Sequence, residues 1–197
     1  TGIFDGLGHT ISDLYINHPS QVYIGLFGYA MNATIKNIGV VDFEIYAKGY
    51  SGGLVGSANK TQISNSYSTG GIYAYTDFGG LIGHLHNSSS IEHSYSLANI
   101  YKIDGSSKFE RVGGLVGTVQ NKSSVKNSYS IGNITGGNSN DNEVGGLIGY
   151  LHDSSVLNSY SSSNINASGT KIGGLIGKNA GTAENSYSSS NINASGT

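Results

Sequence analysis

Apolar residues fall in short clusters separated by Gly, Ser, Asn and Thr, and the clusters return at a nearly constant interval. A Gly-Leu-apolar-Gly unit occurs at Gly25-Leu26-Phe27-Gly28, Gly53-Leu54-Val55-Gly56, Gly80-Leu81-Ile82-Gly83, Gly114-Leu115-Val116-Gly117, Gly146-Leu147-Ile148-Gly149 and Gly174-Leu175-Ile176-Gly177, spaced by 28, 27, 34, 32 and 28 residues. A second unit follows each of the last five: Asn65-Ser66-Tyr67-Ser68, His93-Ser94-Tyr95-Ser96, Asn127-Ser128-Tyr129-Ser130, Asn158-Ser159-Tyr160-Ser161 and Asn185-Ser186-Tyr187-Ser188. In the first repeat Lys36-Asn37-Ile38-Gly39 takes its place. Two positions before the Asn or His stands an aliphatic residue, Ile35, Ile63, Ile91, Val125 or Val156, with Ala183 the weak last member. Ser186 to Thr197 repeats Ser159 to Thr170 letter for letter.

This pattern disfavours helix. Glycine costs roughly 1 kcal/mol against alanine in a helix interior, and each repeat carries several. The aliphatic-x-Asn-x-Tyr stretch alternates with period two, which predicts a strand with one buried face. Runs such as Asn87-Ser88-Ser89-Ser90 and Asn121-Lys122-Ser123-Ser124 have turn chemistry. Each repeat therefore reads as two or three short strands joined by turns. One such unit cannot bury its own apolar face, but stacked copies can. The expected fold is all-β: a right-handed parallel β-helix, or solenoid, of six to seven coils. At ~4.8 Å per coil that gives a rod on the order of 30 Å long. Leu, Ile/Val and Tyr should then form ladders down the core, Asn an amide ladder, and the glycines beside Leu should allow close backbone approach. A β-propeller needs about 40 to 45 residues per blade, and a leucine-rich horseshoe needs more than one regular Leu per repeat, so both fit less well.

The repeats resemble GLUG-motif repeats. The Gly-Gly-Leu-Val/Ile-Gly cores and the trailing Asn-Ser-Tyr-Ser units carry the likeness over about residues 20–197, and the opening Phe4 to Ile16 is similar to the coil that often precedes them. Such repeats occur in bacterial surface proteins resembling filamentous haemagglutinin-type adhesins, and in the non-catalytic part of immunoglobulin-A-cleaving metallopeptidases. The resemblance implies an extracellular or cell-surface β-helical stalk or adhesive region, and it transfers no catalytic residue. Residues 1–197 read as one β-helical domain whose opening, Thr1-Gly2-Ile3-Phe4-Asp5, looks like the middle of a longer chain.

Composition narrows the partners. Ten Lys and Arg against 12 Asp and Glu give a net charge of −2, with 11% charged residues and no cysteine. Phosphate neutralisation therefore does not drive binding, and no nucleic-acid partner is expected. No apolar run approaches the ~18 residues of a membrane helix. There is neither a disulfide framework nor a thiolate metal site. Host or matrix glycans and proteins are the expected partners, since Tyr offers stacking area and a hydroxyl.

No catalytic set is apparent. His-Glu-x-x-His is absent, the carboxylates look scattered, and no Gly-x-Ser-x-Gly elbow lies between a strand and a helix. No enzyme activity, cofactor or metal is therefore expected. His84 and His86 share a strand face but have Tyr150 and His152 as repeat equivalents, so they read as a surface column. Asn138 to Glu143 is oxygen-rich but lacks the spacing and glycine of a calcium loop. Asn-x-Ser/Thr acceptors stand at Asn32, Asn59, Asn87, Asn121, Asn133, Asn166 and Asn193. The first four fall at one equivalent turn, with Asp153 in the fifth repeat. Glycan attachment and plain turn chemistry both account for them.

The two long repeats gain residues between the Tyr and the next Gly-Gly, roughly over Tyr101 to Glu110 and Gly136 to Asn142. Insertions on one face of a solenoid often form its binding surface, so Tyr101, Lys108, Phe109 and Arg111 are the candidate contact residues. Three functions stay open: an adhesive stalk, a subunit stacking head-to-tail into a fibre, with or without attached glycans, and an accessory region of a secreted peptidase or glycan-degrading enzyme.

Overall fold

The computed structural model describes residues 2–103, 110–136 and 142–194. Lys108, Phe109 and most of both inserted stretches lie outside the described residues. Among the described residues there is no helix, and every strand pairing is parallel, in one 11-stranded and one 15-stranded sheet. The chain winds as a β-solenoid of about six turns. The opening segment is a true coil: Gly2–Asp5 pairs with Ala33–Lys36, and Thr10–Ser12 pairs with Gly39 to Val41.

The pairing register places equivalent repeat positions on top of one another. Val55, Ile82, Val116, Ile148 and Ile176 form one column. Ile35, Ile63, Ile91, Val125, Val156 and Ala183 form a second. A third was not evident from the Gly-Leu units: Ile16, Ile45, Ile72, Ile100, Ile134, Ile165 and Ile192. Leu54, Leu81, Leu115 and Leu147 are fully buried. Burying such a side chain contributes about 1.5–3 kcal/mol, and the repeat collects that gain at the same places in every coil. The glycines allow the close approach expected of them: a Cβ on Gly79 would lie 2.6 Å from Gly117 N, and one on Gly52 would lie 2.5 Å from Leu81 O.

Two expectations need correction. A coil contains more than two or three strands. From Ile82 to Gly113 the strands are Ile82–His86, Ser90–Glu92, Tyr95–Ser96, Asn99–Lys102 and Glu110–Gly113. The tyrosines of the Asn-Ser-Tyr-Ser units are also not in the core: Tyr67, Tyr95, Tyr129 and Tyr160 are only partly buried, while the serines on either side are buried. One cause explains both. Asn37, Asn65, His93, Asn127, Asn158 and Asn185 all have φ between 47° and 56°, a left-handed conformation that Asn tolerates better than most residues. This residue turns the corner and resets the alternation. The aliphatic side chain before it and the Ser after it both face inward, and the Tyr faces out.

The buried serines form a ladder of their own. Ser66 N–H donates to Ser94 Oγ at 3.2 Å, Ser94 N–H to Ser128 Oγ at 3.2 Å, Ser128 N–H to Ser159 Oγ at 3.2 Å, and Ser159 N–H to Ser186 Oγ at 3.1 Å. Each hydroxyl donates in turn to the carbonyl two residues back, as Ser94 does to Glu92 O at 2.9 Å. The corner would otherwise leave a buried N–H without a partner, and such a group costs about 1–3 kcal/mol.

Candidate functional site

Two kinds of surface feature emerge from this register: aromatic and amide ladders, and one column of charge. The outward tyrosines stack. Ring centroids of Tyr67, Tyr95, Tyr129, Tyr160 and Tyr187 follow one another at 5.0, 4.8, 4.9 and 5.3 Å, with interplanar angles of 8° or less. Gly39 occupies the Tyr position of the preceding coil, and a Cβ there would lie 2.5 Å from Tyr67 Cζ. A second stack runs through Tyr46, Tyr73 and Tyr101 at 4.5 and 4.6 Å. Inside a stack the ring faces are spent on one another, so these tyrosines offer edges to a partner rather than the stacking faces their sequence suggested. The Glu44 carboxylate accepts the Tyr46 hydroxyl at 2.8 Å and holds that phenol up at about 12.

Asparagine ladders run alongside. Asn133 donates to Asn99 Oδ1 at 3.1 Å, Asn164 to Asn133 at 3.2 Å, and Asn191 to Asn164 at 3.2 Å. At the corner, Asn65 donates to Asn37 at 3.2 Å and Asn158 to Asn127 at 3.3 Å, with His93 standing in between as partner of Asn127. The amide ladder read from the sequence is present.

The charged column occupies the position two residues before the last four Gly-Gly-Leu units; the first has Tyr50 there. Arg111 pairs in register with Glu143, and Glu143 with Lys171. Phe78 pairs with Val112, so Asp77 precedes Arg111 in the same column. The order Asp77, Arg111, Glu143, Lys171 alternates in sign along the rod. Arg111 Nη1 lies 3.1 Å from Asp77 Oδ1, which also accepts the Thr118 hydroxyl at 3.0 Å. Arg111 Nε faces Glu143 Oε2 at 3.4 Å as an ion pair without hydrogen-bond alignment. Lys178 and Lys171 approach Glu143 Oε1 at 3.3 and 3.7 Å. Arg111 and Lys178 both lie over the Tyr150 ring. Asp77 and Glu143 are 6% and 3% exposed. Burial raises the Asp77 carboxyl, against the opposing pull of Arg111 and the Thr118 hydroxyl. Burial also works against the Arg111 charge, but Asp77 and Glu143 outweigh it and hold the guanidinium up.

Of the four predicted contact residues, Tyr101 and Arg111 are described. Tyr101 ends the second tyrosine stack and borders an open groove of about 460 Å³. The Arg111 guanidinium is engaged by Asp77 and Glu143. The strands flanking the two insertions are neighbours: Asn99–Lys102 pairs with Asn133–Thr135, and Glu110–Gly113 with Asn142–Gly145. The described residues on either side of the two stretches are therefore adjacent on the rod.

The predicted glycan acceptors divide into two groups. Asn59, Asn87, Asn121 and Asn133 donate Nδ2, the atom a glycan would take, to Tyr29 Oη, Asn59, Asn87 and Asn99. Asn32, Asn166 and Asn193 are exposed. The left-handed corner column is Asn32, Lys60, Asn87, Asn121 and Asp153, so Asn59 stands one residue before the equivalent position. His84 and His86 stack at 4.2 Å, and His84 also packs on Tyr50. Burial, aided by His86 and Arg111, lowers His84 to about 3. His86 Nε2 lies 3.2 Å from Ser57 Oγ, but Ser57 is fully buried and closed to a substrate. Among the described residues no group of three or more His, Cys, Asp or Glu is placed to hold a metal ion, and no helix is long and apolar enough to cross a membrane.

Residues 110–135 and 140–166 match the GLUG motif. These two stretches are GLUG repeats. Arg111 lies in the first match and Glu143 in the second, so the central ion pair joins the two matched stretches. No curated protein matches the chain. Among solved structures, a Bacteroides ovatus protein described as a "putative immunoglobulin A1 protease" is similar at 21% identity and a TM-score of 0.70. The similarity covers 98% of this chain and 61% of that one, and at this identity it shows a shared fold.

Proposed function

We propose that this GLUG solenoid is an extracellular, non-catalytic adhesive segment that presents one ladder-bonded face to glycans or proteins of a host or matrix. The observation that carries the reading is the outward display of neutral amide and phenol columns in register over successive coils. Such columns repeat a donor and an acceptor at every coil, about 4.8 Å apart, and suit extended partners rich in hydroxyls and amides. Rigidity follows from the ladders and from the buried charge column, so little ordering entropy is lost on contact. The test is binding of the whole chain to a glycan array and to immobilised matrix proteins. Saturable binding with the ligand recovered intact supports adhesion. No binding to either surface, or breakdown of the ligand, overturns it.

The likeness to the Bacteroides ovatus structure favours a second reading, an accessory region of a secreted peptidase. Retention of immunoglobulin A by this chain, against no retention of glycans or matrix proteins, would select it.

A further inference from the structure

The asparagine ladder through Asn191, Asn164, Asn133 and Asn99 stops at Gly71. In register, Asn99 pairs with Gly71, and Gly71 with Glu44. Each Asn above uses Nδ2 to bond the Oδ1 of the coil nearer the N-terminus. Asn99 accepts from Asn133 in this way, but the position beneath it has no side chain to receive its own donor. Two coils span about 10 Å, twice the strand spacing. Across that interval Asn99 and Glu44 occupy the same column with only Gly71 between them, and the Glu44 carboxylate also holds the Tyr46 hydroxyl.

The gap coincides with the open groove of about 460 Å³, which Asp42, Glu44, Gly71, Tyr73, Asn99 and Tyr101 help to line. That volume lies within the range of small-molecule sites, about 300–1,000 Å³. The fold does not require glycine at position 71. Its φ is not in the left-handed region, and a Cβ there would meet only Tyr73 Cε2 at 3.4 Å and Tyr101 Cε2 at 3.9 Å. Gly70 differs, with φ of 142° and a Cβ that would collide with the Phe43 backbone. Position 71 could therefore carry the Asn of the following coils, and its glycine keeps the groove open.

We infer that this notch is a binding subsite for one neutral sugar residue of a glycan. The proposal rests on the adhesive reading and deepens it. Asp42 and Glu44 accept hydroxyl hydrogens, the Asn99 amide donates to a ring or hydroxyl oxygen, and the Tyr73 and Tyr101 edges flank the sugar. With two carboxylates and no cation among the lining residues, sialylated and uronate sugars are repelled.

The test compares the whole chain with Gly71→Asn and Glu44→Gln on an array of neutral hexose and N-acetylhexosamine oligosaccharides and their sialylated and uronate counterparts. Thermal melting is measured alongside. Gly71→Asn supplies the missing rung, so its melting temperature should equal or exceed that of the parent while neutral-glycan affinity drops at least about ten-fold. Glu44→Gln should also weaken binding. Equal binding by the parent and a folded Gly71→Asn variant overturns the notch but leaves glycan adhesion standing. Equal binding of anionic glycans overturns the proposed ligand class. No glycan binding, with matrix-protein binding retained, overturns the notch and leaves protein-directed adhesion.

Discussion

The Arg111 guanidinium sits 3.1 Å from the Asp77 carboxylate and, on its other edge, 3.4 Å from that of Glu143, linking three successive coils through one side chain. Asp77 and Glu143 are nearly inaccessible to water, and their charges are tolerable only while partnered. Arg111→Ala should therefore destabilise the solenoid by about 3 kcal/mol, the lower end for a broken buried pair because Arg111 is itself partly exposed. Asp77→Asn combined with Arg111→Ala should cost less than the sum of the two single changes. Urea unfolding of the four proteins gives the coupling, and strict additivity would remove the network from the account.

The serine ladder gives a different signature. Ser94→Ala removes the acceptor for the Ser66 N–H and the donor to Glu92 O. The expected loss is about 1–3 kcal/mol, from leaving a buried N–H unpaired. Ser124→Ala, on a half-buried neighbouring strand, should cost distinctly less. Hydrogen exchange at the Ser66 amide should accelerate in the first variant and not in the second.

Corner asparagines are held by backbone conformation as well as by hydrogen bonds. Asn127 has φ of 48°. Asn127→Val places a β-branched residue in the left-handed region and should cost at least the 1–2 kcal/mol expected for an L-residue there. Asn127→Gly loses only the side-chain bonds and should be the milder change. Thermal melting of the pair decides it, and a Gly variant as unstable as the Val variant would refute the conformational explanation.

The sequence revealed the solenoid because its strongest signal, Leu81 recurring as Leu115 and Leu147, is the packing itself: identical letters at one period become neighbours in space. It misplaced Tyr95 because period-two counting assumes extended backbone, and His93 is not extended. The Ile72–Ile100–Ile134 column was equally legible, five residues after Tyr67, Tyr95 and Tyr129, but it lies outside the Asn-Ser-Tyr-Ser unit that marks the repeat. The charge column was present two residues before the last four Gly-Gly-Leu units, as Asp77, Arg111, Glu143 and Lys171, but a search for carboxylates alone separates residues that pair only with the opposite sign. The gap at Gly71 follows from the absence of a side chain, and only the register shows which ladder it interrupts.

Acid should weaken the rod through His84. Its imidazole is lowered to about 3, first by burial and then by His86 and Arg111, whereas an unfolded histidine titrates near 6.5. Between those values the unfolded chain binds the proton and the folded chain does not, so stability rises with pH across the window. It is fully present above about pH 6.5, declines as the pH falls, and levels off below about 3. His84→Thr, which places there the residue that Thr118 supplies one coil later, removes this titration. The drop in melting temperature from pH 7 to pH 4 should be smaller for the variant than for the parent. Parallel curves for the two proteins would mean that the acid response arises elsewhere.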